Sequence, residues 1–133
     1  RRPPKSTGKE RFGAAFAARL VTRGRRVELV LATLVELVAC SIADALTRFV
    51  RPGPEEVIAS GGGCRNGFLM ERIRAHLAPL PVQTSEVLGV PVLAREALAF
   101  AWLGWRTLRG LPGNLPGATG ARRPAVLGLI ALP

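Results

Sequence analysis

The apolar run Val57-Ile58-Ala59-Ser60 ends in three consecutive glycines, Gly61-Gly62-Gly63, and a helical pattern follows them. Val57, Ile58 and Ala59 suit a buried strand. Three residues without a Cβ let the backbone take positive φ and let a flat ligand approach it closely. The pattern after the glycines predicts a helix over 65–77, whose first N–H groups lack intrahelical partners and carry partial positive charge. Strand, turn and helix together make the glycine turn a candidate nucleotide site. The competing explanation for such a turn is close packing of the backbone against a neighbour. Two phosphate-binding fingerprints fail here. A G-x-G-x-x-G loop from Gly61 would need glycine where Asn66 stands, and the Gly8-Lys9 pair is followed by Glu10, with Pro3 where a Walker A loop has its first glycine.

A chain of 133 residues with 48% hydrophobic content can fill the core of one domain or part of one. The start, Arg1-Arg2-Pro3-Pro4 without methionine, reads as the interior of a longer chain. No apolar stretch with a small-residue cleavage site follows these basic residues, so no signal peptide is expected. Cys40 and Cys64 make no disulfide framework and fit a reducing cytoplasm. One histidine and no clustered cysteines predict no metal site. The formal charge of +10 is concentrated: residues 1–26 hold a net +8. Such an arm can meet phosphates. With aromatic residues at 5% and no recognised nucleic-acid module, however, the basicity reads as solvated or phosphate-facing surface, and nucleic acid is not an expected partner.

Along the chain, Thr7 and Glu10 have capping-box spacing before a helix over 9–20 with Phe12, Phe16 and Leu20 as its buried stripe. Thr22 to Arg26 forms a turn. The stretch 27–50 predicts a mostly buried helix with Leu29, Val30, Thr33, Leu34, Leu37, Val38, Ser41, Ile42, Ala45 and Leu46 inward and Glu28, Glu36 and Asp44 on the remaining side. Its length would span a bilayer, but Glu36 and Asp44 would each cost about 2.5 to 3.5 kcal/mol in hydrocarbon, which argues against a span. Arg51-Pro52-Gly53-Pro54 stops it. After the 65–77 helix, where His76 favours the C-terminal end of the helix dipole, a second strand over Val82-Gln83-Thr84 completes a right-handed crossover with parallel strands. Ligands of such sheets bind beyond the strand C-termini, which for the first strand means Gly61 to Gly63. A last helix opens at Ala94-Arg95-Glu96, with Trp102 and Trp105 in the core, followed by an irregular loop from Leu111 and a closing strand over 125–130.

Arg2-Pro3-Pro4-Lys5-Ser6-Thr7-Gly8-Lys9-Glu10, Ala32-Thr33-Leu34, Gly61-Gly62-Gly63-Cys64-Arg65-Asn66, Glu96-Ala97-Leu98-Ala99-Phe100-Ala101-Trp102-Leu103 and Leu111-Pro112-Gly113-Asn114-Leu115-Pro116 together resemble the C-terminal third of the anhydro-N-acetylmuramic acid kinases. The resemblance implies an α/β fold: residues 1–133 as part of the C-terminal RNase H-like lobe of a two-lobe sugar kinase/actin-like ATPase, without the N-terminal lobe. It implies a cytoplasmic enzyme of cell-wall recycling that uses ATP, Mg²⁺ and water to open the 1,6-anhydro ring of anhydro-N-acetylmuramic acid and phosphorylate O6. It also implies a homodimer as the assembly of the full-length protein.

By the same likeness, Gly61, Gly62, Gly63 and Asn66 face the nucleotide and Glu96 touches the sugar, while Lys5, Ser6 and Thr7 match without an assigned role. The catalytic aspartate is expected upstream of Arg1, so these residues alone are expected to give no turnover. Cys64 stands where the family has alanine, Gly13 where it has asparagine and Ser85 where it has aspartate. A different sugar kinase, an activator ATPase of the same superfamily, or a basic nucleic-acid-binding module are the alternatives.

Overall fold

The computed structural model describes residues 8–21 and 26–131. Lys5, Ser6, Thr7 and most of the turn at 22–26 lie outside the described residues. In chain order the helices and strands are α1 (Lys9–Phe12), α2 (Ala14–Leu20), α3 (Val27–Phe49), β1 (Val57–Ala59), α4 (Gly67–Leu77), β2 (Val82–Thr84), α5 (Arg95–Leu108) and α6 (Pro116–Thr119). The chain is mixed α/β, and β1 and β2 are neighbours in a two-stranded sheet. It divides into two compact units, one made of residues 1–57 and 66–82, the other of 58–65 and 83–133.

In the first unit, the helix expected over 9–20 breaks at Gly13, whose backbone is extended at φ −89° and ψ −160°. Glycine inside a helix is about 1 kcal/mol worse than alanine, and a short exposed helix has little packing to offset that. The stripe expected to be buried is not: Phe12 is exposed and Phe16 and Leu20 are half-buried, although the rings of Phe12 and Phe16 meet edge to face, 5.2 Å between centroids. Glu10 accepts from the N–H of Gly8, the residue before α1, at 2.6 Å, while the Thr7 half of the expected capping box lies outside the described residues.

Helix α3 has nearly the predicted bounds but is not mostly buried. Ala39 is its one buried residue, and Leu29, Leu31, Leu37 and Val38 are exposed. Its packed face overlaps the predicted one only in part: Val30, Leu34, Ile42 and Leu46 are half-buried as expected, while Leu29, Thr33, Leu37, Val38, Ser41 and Ala45 are exposed. Ala32, Val35, Glu36, Ala39 and Ala43 are shielded at helical spacing, and α3 packs against α4. Ala39 ends at Cβ and so lets the two backbones come close, whereas the bulkier Leu and Val stripe has no large partner surface among the described residues. Glu36 therefore sits on the packed side. By length and composition alone α3 could cross a membrane, yet it carries Glu36 and Asp44 in ion pairs with Arg72 and Arg48.

Helix α4 begins two residues later than predicted. Gly62–Arg65 forms a 3₁₀ turn instead, and Asn66 caps α4 with its Oδ1 accepting from the Leu69 N–H at 3.1 Å. Met70, Ile73 and Leu77, at spacings of three and four, join Ala39 and Val82 as the buried hydrophobics of the described residues. The Val57 N–H donates to the Pro81 carbonyl at 2.8 Å, and Arg74 Nε donates to the Val82 carbonyl at 3.3 Å.

In the second unit, Ser85–Leu88 is a 3₁₀ turn closed by Gly89 at φ 73°. The Ser85 side chain is buried there, and its Oγ has no hydrogen-bond partner among the described residues. Helix α5 buries none of its residues. Trp102 and Trp105, predicted as core, are 51% and 48% exposed, with the Arg106 guanidinium 4.7 Å and the Arg109 guanidinium 5.7 Å from their ring centroids. No element among the described residues covers that side of α5, so the indoles are shielded by neighbouring arginines instead. The predicted closing strand over 125–130 does not form, because single bonds hold the segment where a ladder would be needed. Gly113 N–H donates to the Ala125 carbonyl at 2.9 Å, Ala125 N–H donates to Asn114 Oδ1 at 2.7 Å, and Asn114 Nδ2 donates to the Arg123 carbonyl at 3.1 Å. Gly128, at φ 90°, leaves the extended region and interrupts the run.

Candidate functional site

Gly61 has φ +99°, a conformation that side chains strongly disfavour, so glycine at 61 is required by the backbone itself. Its N–H donates to the Val92 carbonyl at 2.7 Å, and its own carbonyl accepts from the Cys64 N–H at 3.1 Å. These two bonds fix the turn at the end of β1 against the segment that leads into α5. A Cβ added at Gly61 or Gly62 would meet nothing within 4 Å. Close packing is therefore not the reason for these two glycines, and the bare side of the turn is open.

That open side borders a pocket of about 130 Å³ lined by Gly61, Gly62, Val92, Leu93, Arg95 and Glu96. Two of the three predicted nucleotide-facing glycines thus share one concavity with the predicted sugar-contacting carboxylate. Gly63 lies in the 3₁₀ turn outside the lining, and Asn66 belongs to the first unit, where its side chain is occupied in capping α4. Glu96 sits in the first turn of α5, where the helix dipole favours a carboxylate. Its side chain is 79% exposed, and Oε1 lies 3.6 Å from the Arg95 guanidinium. The pocket is small against the roughly 300–1,000 Å³ of whole-ligand sites. It suits one group of a larger ligand, with Arg95 and bare backbone available to an anion and the Glu96 carboxylate available to a hydroxyl donor.

A second constellation lies in the first unit, at the α3–α4 contact. Arg72 grips Glu36 with both nitrogens, Nε donating to Oε2 at 2.7 Å and a terminal nitrogen to Oε1 at 3.1 Å. His76 Nε2 is 2.6 Å from Glu36 Oε1, and Cys40 Sγ is 3.4 Å from the same nitrogen. The Arg72 hydrogen bonds, and after them the His76 contact, hold the Glu36 carboxyl down at about 2, against the opposing effect of burial. Glu36 in turn raises the Arg72 pKa further. His76 lies in the last turn of α4, as expected, but it also pairs with Glu36, which was expected on the side of α3 away from its packed stripe and instead faces α4. The available clue was spacing: Glu36 and Cys40 are four apart on α3, as are Arg72 and His76 on α4, so each pair falls on one helix face. Asp44 takes no part and pairs with Arg48 on the surface of α3 at 2.6 Å.

The whole chain, residues 1–133, matches the family model described as anhydro-N-acetylmuramic acid kinase. It is 42% identical over 130 residues to a protein named anhydro-N-acetylmuramic acid kinase from Cyanothece sp. (strain PCC 7425 / ATCC 29141), a match covering 95% of this chain and 34% of that relative. The chain thus spans about a third of the relative's length.

Proposed function

The chain belongs to the anhydro-N-acetylmuramic acid kinase family, and on that premise we propose that it forms part of the C-terminal, RNase H-like lobe of an ATP-dependent kinase. The enzyme consumes ATP and water, opens the 1,6-anhydro ring of anhydro-N-acetylmuramic acid and phosphorylates O6, giving N-acetylmuramic acid 6-phosphate and ADP. It works in the cytoplasm in recycling of cell-wall amino sugar. The observation that carries the reading is the shared pocket: Gly61 and Gly62 expose open backbone beside Arg95 and Glu96.

In this reading Gly61, Gly62 and Gly63 form the floor on which the nucleotide lies, because a ligand can approach there to backbone distance without displacing a side chain. Arg95 offers positive charge at the pocket wall, and Glu96 accepts from a sugar hydroxyl. Asn66 acts by capping α4, and contact with the nucleotide is a further role proposed from family likeness. ATP, when bound, supplies the phosphoryl group. The residues present fit one side of such a ligand. They do not make a Mg²⁺ site, since Glu96 is the only carboxylate in the lining and has Arg95 beside it. Phosphoryl transfer needs metal, phosphate contacts and a positioned nucleophile together. The aspartate that activates water is proposed to lie in the rest of the enzyme, and residues 1–133 alone are proposed to be inactive.

The test is an assay of the full-length protein with ATP, Mg²⁺ and anhydro-N-acetylmuramic acid, with product identified by mass. Formation of N-acetylmuramic acid 6-phosphate supports the reading. ATP turnover with a different sugar and none with this one would move the protein to another kinase of the superfamily.

A further inference from the structure

We propose that Glu36, Cys40 and His76 form a binding site for a zinc-class divalent cation between α3 and α4. Three different donor types converge there: a carboxylate oxygen, a thiol sulfur and an imidazole nitrogen, all within 4.8 Å of one another. Two come from α3, four residues apart, and the third from α4, so the helix packing itself assembles the set. The site shares no residue with the glycine pocket.

Distances favour a metal over a catalytic relay. In a nucleophile–histidine–carboxylate relay the ring is threaded, one partner on each nitrogen. Here Glu36 Oε1 at 2.6 Å and Cys40 Sγ at 3.4 Å both face Nε2. Convergence on one side of the ring is what a shared cation needs. With zinc bonds of about 2.3 Å to sulfur and about 2.0–2.2 Å to nitrogen and oxygen in tetrahedral array, neighbouring donor atoms stand about 3.4–3.6 Å apart. The Cys40–His76 separation of 3.4 Å and the Cys40–Glu36 separation of 3.9 Å are already near this spacing. The His76–Glu36 contact must open and the Arg72 terminal nitrogen, 3.1 Å from Oε1, must release that oxygen, and the cation replaces both interactions. Arg72 Nε holds Glu36 Oε2 at 2.7 Å and so fixes the direction of Oε1, the proposed ligand atom, as outer hydrogen bonds commonly do for metal carboxylates. Binding releases the thiol proton and any proton on Nε2. Part of each side chain is open to solvent, 28% for His76 and 38% for Glu36, so a water can take the fourth position. One soft, one borderline and one hard donor match Zn²⁺ or Co²⁺ and not Mg²⁺ or Ca²⁺.

Cobalt titration of the purified full-length protein, under reducing conditions and without chelator, tests the site. A sulfur-to-cobalt charge-transfer band is expected, and added zinc should bleach it, since zinc binds such donors more tightly. Cys40→Ser should abolish the band. His76→Ala should weaken cobalt binding at least about ten-fold, and Cys64→Ser should leave it intact. Circular dichroism of each variant checks that the helices persist. The proposal is overturned if no band appears, or if it survives unchanged in Cys40→Ser or in a folded His76→Ala. Kinase activity does not enter the readout, so failure here leaves the proposed function standing.

Discussion

His76 Nε2 lies 2.6 Å from Glu36 Oε1, joining two helices across forty positions of sequence. With the Arg72 fork on the same carboxylate, this makes Glu36 the polar centre of the α3–α4 contact.

Acid should therefore loosen that contact. The Glu36 carboxyl is held down at about 2 in the folded chain, against an ordinary value of 4.5. A depressed carboxyl stabilises the fold above its unfolded pKa, and this contribution fades as pH falls from about 4.5 toward about 2. Helical signal and melting temperature followed over that window should decline less steeply in Glu36→Gln than in the parent. Equal slopes would mean that the ion pair contributes nothing.

Gly61 and Gly62 should separate folding from binding. Gly61→Ala forces a side chain onto φ +99° and should cost about 1–2 kcal/mol of stability. Gly62→Ala meets open space with no such φ, so stability should stay within about 0.5 kcal/mol. In the full-length enzyme the added methyl at 62 should nevertheless weaken ATP. Denaturant melts and nucleotide titrations distinguish the two; unchanged ATP affinity in Gly62→Ala would remove that glycine from the site.

The outcome for these elements shows what local pattern could and could not reveal. The glycine turn and the strand before it were legible because each is set by adjacent residues, missing Cβ atoms and β-branched side chains, although Val57, Ile58 and Ala59 are half-buried and not buried as expected; the 65–77 helix was read without its buried face of Met70, Ile73 and Leu77. The packed face of α3 was legible only in part, through Val30, Leu34, Ile42 and Leu46. Its leucines and valines outline a broad apolar stripe, but the neighbour it meets in this unit selects the small Ala39 side. The tryptophans of α5 misled for the same reason, since hydrophobicity says what could be buried and not what is there to cover it. The Glu36–His76 cluster needed the tertiary contact itself.

Glu96→Gln should leave the fold alone, because the side chain is 79% exposed. If the carboxylate accepts from a sugar hydroxyl, losing its charge should lower kcat/KM for the sugar about ten- to a hundred-fold, with KM for ATP unchanged. Steady-state kinetics with each substrate varied in turn would read this. Parallel changes for both substrates would instead place Glu96 in a general role for cleft shape.

Ser85→Ala should be neutral or stabilising by up to about 1 kcal/mol. The Ser85 hydroxyl is buried with no partner among the described residues, and an unmade hydrogen bond is the costly state. A thermal melt decides it. A loss of more than about 1 kcal/mol would reveal a partner for that hydroxyl, such as a bridging water.

The Asn66 cap has a bearing on chemical lifetime. Asn66 is followed directly by Gly67, the pairing in which an asparagine side chain is most easily attacked by the next backbone nitrogen to form a cyclic imide. Holding Oδ1 on the Leu69 N–H keeps the amide turned toward the helix and away from that attack. Ageing at this step should accordingly follow fraying of the first turn of α4, and a one-dalton mass gain at Asn66 during storage would serve as a clock for how often the helix opens.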